Sequence, residues 1–218
     1  DLPMIAGGYT VPPDEGVLNE RARHFGDAIA AVAAINEHIA EEALELIEVE
    51  YEHLPFVIDP LEAMRPDASQ ISDFAKGNIG KHMSYAFPAG DVHKALKEAD
   101  CVVEGTFKTT KQEHCTAETA AAVAKLDANG RLIVWSQCQL AHMARREIAH
   151  IFNMPVHSVK IITPLIGGSF GQRGALCAEP ICVALALKTG RPVKLVYSRE
   201  ENFIGLESRT GFQYTLRM

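Results

Sequence analysis

The cysteine patterns that would staple a small fold or hold a zinc ion are missing from this sequence. Cys101, Cys115, Cys138, Cys177 and Cys182 are odd in number and include no C-x-x-C pair, which excludes a disulfide framework and a zinc knuckle as organising devices. They read as reduced thiols of a cytoplasmic protein, mostly small buried hydrophobes. No apolar run approaches the roughly 20 residues that a membrane helix requires. The first residues, Asp1 to Gly8, hold no basic stretch followed by an apolar core, so neither a membrane partner nor an export signal is expected. Positive charge is also scarce: 21 Lys and Arg face 28 Asp and Glu, a net charge of -7 with no basic cluster. That balance argues against a nucleic-acid partner. Internal repeats and low-complexity tracts are absent as well.

What is present can bury a sizeable core, since 47% of the 218 residues are hydrophobic. Residues 1–23, with Pro12 and Pro13, read as loop. An apolar run from Ala28 to Ile35 precedes Asn36, a helix cap, and Ile39, Ala40, Ala43, Leu44 and Ile47 share one helical face. Alternation at Ile47, Val49 and Tyr51 marks a half-buried strand ended by Pro55, which completes a strand-helix-strand unit. Glu37, Glu41, Glu42 and Glu45 form its solvated face. Residues 65–90 lack a sustained period and read as a linker. Asp91 then caps a helix over Val92 to Glu98, and Cys101 to Phe107 alternates as a strand. Apolar segments Ala120 to Leu126 and Leu132 to Trp135 flank a turn at Asp127 to Gly130, a hairpin. A helix from Leu140 to Phe152, a strand from Val159 to Thr163, a helix from Ala175 to Lys188 ended by Gly190, and a strand from Val193 to Tyr197 follow. The fold class is α+β, with a mixed sheet packed by two helices. The last residues, up to Met218, fall inside a strand-like alternation, as in a piece cut from a longer protein.

Between the strand at Val159 and the helix at Ala175 lies the most distinctive stretch, Gly167, Gly168, Ser169, Phe170, Gly171, Gln172, Arg173 and Gly174. Its glycines allow positive φ and leave no Cβ between the amides and a ligand. Main-chain N–H groups running into a helix N-terminus suit an oxyanion or phosphate. The spacing fits neither the dinucleotide fingerprint nor the Walker A loop, because Ser169 interrupts the first and Gln172-Arg173 the second. Glu113 and His114 read as a buried pair fixing a strand end, with acid–base work the alternative. Gln139 is a cap for the helix that follows, a bond to a neighbouring loop, or a ligand contact. Arg173 is either a surface charge or a phosphate partner.

These residues resemble the molybdenum hydroxylases, the xanthine dehydrogenase and aldehyde oxidase family. Residues 167–173 are similar to its G-G-G-F-G-G-K loop. Gln112-Glu113-His114 with Glu118 is similar to Q-E-H-x-x-x-E, and Val134 to Gln139 to V-W-T-S-T-Q. Phe25 to Ala30, and Val49 to Pro55 with Asp59 to Ala63, resemble the F-V-G-Q-P-V-A and V-E-Y-E-E-L-P…D-P-E-E-A patterns of the family's α/β hammerhead domain. The resemblance implies the latter part of a hammerhead over 1–64, a linker over 65–90, and the first part of a molybdopterin-binding domain over 91–218. It implies a fragment of a large subunit that hydroxylates or dehydrogenates an aldehyde or aromatic heterocycle with water as oxygen source, the chain alone being inactive.

In the family the glutamine matching Gln139 approaches the apical oxo group of molybdenum, and the loop places backbone amides beside the metal's oxygen ligands. The expected cofactor-binding set is therefore Gln139, Gly167, Gly168, Ser169, Phe170, Gly171 and Arg173, with no side-chain metal ligand. Molybdopterin, as a dinucleotide, is the implied cofactor. The general base, a Glu, is expected beyond Met218. Iron-sulfur and flavin domains or subunits, the remainder of the large subunit and a small-molecule substrate are the implied partners. Three departures stand out: Ser169 replaces a glycine, Gln172-Arg173 replaces Gly-Lys, and Gly174 stands where xanthine-type enzymes carry a purine-recognising Glu, which argues against a purine substrate. A nucleotide-binding α/β module and a non-catalytic structural domain are the competing readings.

Overall fold

The computed structural model describes residues 16–85, 90–174 and 176–218. Of the expected elements, residues 1–15 of the first loop, 86–89 of the linker and Ala175 lie outside that set. Helix α1 (Glu37–Glu45) starts where the sequence places it, because Asn36 Oδ1 accepts the Ile39 N–H at 2.9 Å. The flanking stretches 28–35 and 47–55 carry no strand ladder. This corrects the expected strand-helix-strand unit: a strand exists only against a neighbour, and neither stretch has one among the described residues. Val49 and Tyr51 are accordingly exposed rather than half-buried.

Asp59 caps the short α2 (Pro60–Ala63), accepting from the N–H groups of Leu61 and Glu62. The chain beyond it closes on Asn78. That side chain donates to the carbonyls of Ala63 (2.8 Å) and Ser69 (2.9 Å) and accepts from Ile71 N (2.8 Å). Helix α3 (Val92–Glu98) begins at its expected cap, Asp91, which accepts from Lys94 N. Strand β1 (Glu104–Lys108) pairs antiparallel with β6 (Gln213–Arg217).

The core is a four-stranded mixed sheet with order β4-β3-β2-β5. Strands β2 (Ala121–Leu126) and β3 (Leu132–Ser136) form the expected hairpin, whose turn is fixed by Asp127 Oδ1 accepting from Asn129 N and Arg131 N, each at 2.9 Å. Strand β4 (Val159–Ile162) joins β3 in parallel, after the crossover through α4 (Ala141–Ile151), and β5 (Val193–Val196) joins β2 antiparallel. Alternation along β2 and β3 turns Ala122, Ala124, Leu132 and Val134 inwards. They meet Ile148 and Ala149 of α4 and Cys182, Val183 and Ala186 of α5 (Glu179–Thr189).

Helix α5 begins at Glu179 and not next to the glycine loop. Pro180 explains the difference, because proline is tolerated in the first turn of a helix and would break one already running from Ala175. A single 3-10 turn, Gln172–Gly174, ends the loop, and residues 176–178 before α5 are not helical. The sequence reading also lacked α6 (Arg199–Gly205), which Ser198 and Glu201 close with reciprocal capping bonds. No helix of the described residues is long and apolar enough to cross a membrane.

Candidate functional site

The end of β3 and the loop after β4 are brought side by side by the parallel pairing of those two strands. Ser136, the last residue of β3, is buried and donates through its hydroxyl to Glu179 Oε1 at 2.6 Å. Glu179 Oε2 accepts from Cys177 N at 2.6 Å. This carboxylate thus ties the strand end to the chain that leaves the loop. Gln139, three residues on, donates its backbone N–H to the Arg173 carbonyl at 2.8 Å. It is not a helix cap, since the cap residue of α4 is Leu140 and no side chain bonds there.

The loop curls through positive φ at Gly168 (147°), Phe170 (52°) and Gly171 (107°). Glycine meets the first and last without steric cost. Phe170, a non-glycine residue in the left-handed region, is 76% exposed and is held there by its neighbours: Gln172 N donates to the Ser169 carbonyl and Gly174 N to the Gly171 carbonyl, each at 3.0 Å. None of the N–H groups of Gly168, Ser169, Phe170 and Gly171 has a partner among the described residues. Ser169 Oγ donates to Gln139 Oε1 at 2.8 Å. The Gln139 Nε2 has no partner among the described residues either.

Segment 112–118 holds the loop from behind. It is fixed by Gln112 and Arg209, which exchange backbone hydrogen bonds of 3.0 and 2.8 Å. Gly167 N donates to Glu118 Oε1 at 2.9 Å, and the carboxylate lies so close that a Cβ on Gly167 would collide with Glu118 Oε2. That backbone bond, above all, holds the Glu118 carboxyl below its ordinary range, with the Arg173 and Arg199 cations acting the same way and partial burial opposing them.

Arg173 corrects an expectation. It is 2% exposed, neither a surface charge nor a group turned outwards with the loop amides. Its Nη1 donates to Gln137 Oε1 at 2.8 Å, and its Nη2 to the Glu118 carbonyl at 3.0 Å and Thr116 Oγ1 at 3.3 Å. Glu118 Oε1 stands 3.9 Å away. Arg173 therefore braces the loop from inside. Gln172, also buried, donates to Glu113 Oε1, which accepts from Asn202 Nδ2 at 3.3 Å as well. Glu113 is thus paired with Gln172 and Asn202, not with His114. The His114 Nδ1 is buried without a partner among the described residues, and its Nε2 faces Gly171.

Of the residues expected to form the site, Gln139, Gly168, Ser169, Phe170 and Gly171 come together at the loop tip, while Gly167 and Arg173 form its anchored base. Sequence reasoning missed Thr116, Gln137 and Asn202, whose residue types carry no signal apart from the fold. No group of three or more His, Cys, Asp or Glu side chains converges among the described residues. The unpaired amides and the free amide of Gln139 suit a group rich in hydrogen-bond-accepting oxygens, which needs donors and no competing ligands.

Residues 73–218 match the family described as molybdopterin cofactor-binding domain, and residues 1–55 match the aldehyde oxidase and xanthine dehydrogenase a/b hammerhead domain. The chain belongs to the molybdenum hydroxylase family. Its similarity to curated members is substantial. It is 40% identical over 203 residues to a probable xanthine dehydrogenase component of Bacillus subtilis, a match covering 93% of this chain and 27% of that protein. It is 35% identical to the nicotinate dehydrogenase large molybdopterin subunit of Eubacterium barkeri, covering 89% of this chain and 45% of that protein. Among solved structures, the reconstituted CO dehydrogenase from Oligotropha carboxidovorans matches 99% of this chain and 28% of its own with a TM-score of 0.80 at 28% identity. The quinoline 2-oxidoreductase from Pseudomonas putida 86 matches 95% of this chain and 26% of its own with a TM-score of 0.78 at 27% identity. This molybdenum hydroxylase chain therefore spans about a quarter of the length of the first of these relatives.

Proposed function

We propose that the chain forms one wall of the cofactor pocket in a molybdopterin-dependent oxidoreductase, with the Gly168–Gly171 amides and Gln139 Nε2 facing the cofactor. The observation that carries this reading is the run of N–H groups at Gly168, Ser169, Phe170 and Gly171 that have no partner among the described residues, beside a glutamine whose amide nitrogen has none there either. Donors fixed by the fold before a ligand arrives stabilise oxygen-centred negative charge with no cost of reorganisation. Gly167, through Glu118, and Arg173, through Gln137 and Thr116, keep the loop in that shape. When bound, the molybdenum cofactor, in a pterin dinucleotide form, supplies the two-electron redox chemistry.

The whole protein then oxidises a small molecule, an aldehyde or an aromatic heterocycle, with water as the oxygen source. Nicotinate and quinoline, in the names of two similar proteins, are aromatic heterocycles. Gly174 offers no carboxylate to hydrogen-bond a purine, which supports a substrate other than xanthine. Proton removal falls to a Glu supplied from beyond Met218, and electrons leave through iron-sulfur and flavin centres of other domains or subunits. Residues 1–64 are the hammerhead part, 65–90 the linker and 91–218 the cofactor-binding part. The five free thiols support a cytoplasmic location.

The test is elemental analysis of the full-length protein purified from a host that makes the cofactor. One molybdenum per chain is expected, with oxidation of aromatic aldehydes or heterocycles lost by about a hundredfold in Gln139→Ala. A metal-free protein, or unchanged turnover in that variant, contradicts the reading.

A further inference from the structure

Gln139 is held at both ends. Its backbone N–H donates to the carbonyl of buried Arg173 at 2.8 Å, and its side-chain oxygen accepts from Ser169 Oγ at 2.8 Å. A primary amide has two faces of opposite character, an accepting oxygen and a donating NH2, and rotation about its last torsion exchanges them. On an exposed side chain that exchange costs little. Ser169 anchors the side chain: its hydroxyl bonds one polar atom of the amide, here Oε1, and the other, Nε2, is the outward group. A hydroxyl can also accept from an amide NH2, so the serine fixes where the amide lies, and a ligand rich in accepting oxygens selects the donor face. The resemblance pattern has glycine at this position, which has no hydroxyl to hold the amide. The serine is also only half-buried and sits between Gly168 and Phe170, both at positive φ, so its Oγ is directed by a backbone that is itself fixed.

We infer that Ser169 is a positioning residue for Gln139: its hydroxyl tethers the glutamine amide at the loop tip, so that the free end of the amide faces the cofactor. This inference rests on the function proposed above and adds to it a residue that acts through another. With Ser169 in place the free end of the Gln139 amide is held towards the pocket, where Nε2 can donate to the ligand. Without it the exposed glutamine side chain loses the anchor at its outer end and leaves that position.

The experiment uses the full-length protein, loaded with cofactor, in four forms: wild type, Ser169→Ala, Gln139→Ala and the double variant, with Ser169→Thr as a fifth. Molybdenum content is measured first. The molybdenum(V) electron paramagnetic resonance spectrum after partial reduction with dithionite is the principal readout, since it reports hydrogen bonding at the metal and needs no substrate. The expected result is a shifted spectrum in Ser169→Ala at unchanged molybdenum content, a wild-type spectrum in Ser169→Thr, and no further shift when Ser169→Ala is added to Gln139→Ala. A spectrum unmoved by Ser169→Ala overturns the inference, and so does a shift of the same size on the Gln139→Ala background. If Ser169→Ala loads poorly, Ser169→Thr decides alone: it keeps a hydroxyl, so an altered spectrum in a fully loaded Thr variant also overturns it. Absence of molybdenum from the wild-type protein overturns the cofactor reading and this inference together, whereas a loaded protein with any of the contrary spectra overturns this inference only.

Discussion

Glu118 and Gly167 illustrate how single residues set the shape of the loop. The Glu118 carboxyl titrates below its ordinary range because its charged form accepts the Gly167 N–H and faces the Arg173 and Arg199 cations. A carboxylate whose folded value is depressed contributes stability that is fully present above its unfolded value, about pH 4.3, and is lost as pH falls through the lower folded value. Glu118→Gln keeps an accepting oxygen and removes the charge. The variant is expected to melt about 2 °C below wild type at pH 7, as a loss of ~1 kcal/mol implies for a chain of this size. The gap should close as the pH falls through that depressed folded value, where wild-type Glu118 itself takes up a proton. Thermal melts of both proteins across that range check it, and a gap independent of pH contradicts the electrostatic account. The cysteines divide by the same logic of environment. Burial raises the Cys182 thiol to about 11 and raises Cys177 further, with the Glu179 carboxylate adding to the effect at both. Cys101 and Cys115 are exposed. Alkylation of the native protein at pH 7.5 followed by peptide mapping should label Cys101 and Cys115 at least about tenfold faster than Cys177 and Cys182.

Among the elements, those with local signals were legible in the sequence. Asn36 and Asp91 place the starts of α1 and α3 because a cap is a contact within one turn. The β2–β3 hairpin follows from alternation and from a turn that Asp127 closes by itself. Helix α6 also carried a local signal, Ser198 with Glu201 three residues later, which the sequence reading passed over. The start of α5 was legible in Pro180 and was set too early. The stretches 28–35 and 47–55 could not be judged from their own residues, because strand identity belongs to the pair. At the candidate site, the loop and Gln139 were legible from their resemblance to family patterns. The Ser169–Gln139 bond, the inward turn of Arg173 and the braces at Thr116 and Gln137 join residues some 30 to 60 positions apart and become visible only once the sheet is assembled. Helix α6 also matters to the site, since it carries Asn202, whose Oδ1 accepts from Ala120 N at 2.9 Å and whose Nδ2 reaches Glu113. Ser198→Ala removes the cap and should lower stability by about 1 kcal/mol in urea unfolding. No change in the midpoint would mean that the capping bonds contribute nothing to the folded state.

At the scale of the whole molecule, the sheet and its two helices form a packed core, and the remaining elements leave apolar faces open. On the β1–β6 ribbon, Phe107 stacks on Tyr214 with ring centroids 5.7 Å apart, yet both rings and neighbouring Leu216 remain exposed. The chain covers about a quarter of the length of the relative it matches at 40% identity, and its candidate pocket has one wall. These 218 residues produced alone are therefore expected to hold less than about a tenth of a molybdenum per chain, because a ligand contacted on one side gives up most of the buried surface that a pocket supplies. Elemental analysis checks this, and stoichiometric metal in the isolated chain contradicts it. The central claim concerns what faces the loop in the complete protein, and a crystal structure of the full-length, cofactor-loaded form addresses it most directly. The account predicts cofactor oxygen atoms within about 3 Å of at least one N–H among Gly168 to Gly171 and of Gln139 Nε2; a cofactor bound elsewhere, with those donors turned to solvent or to other protein groups, would contradict it.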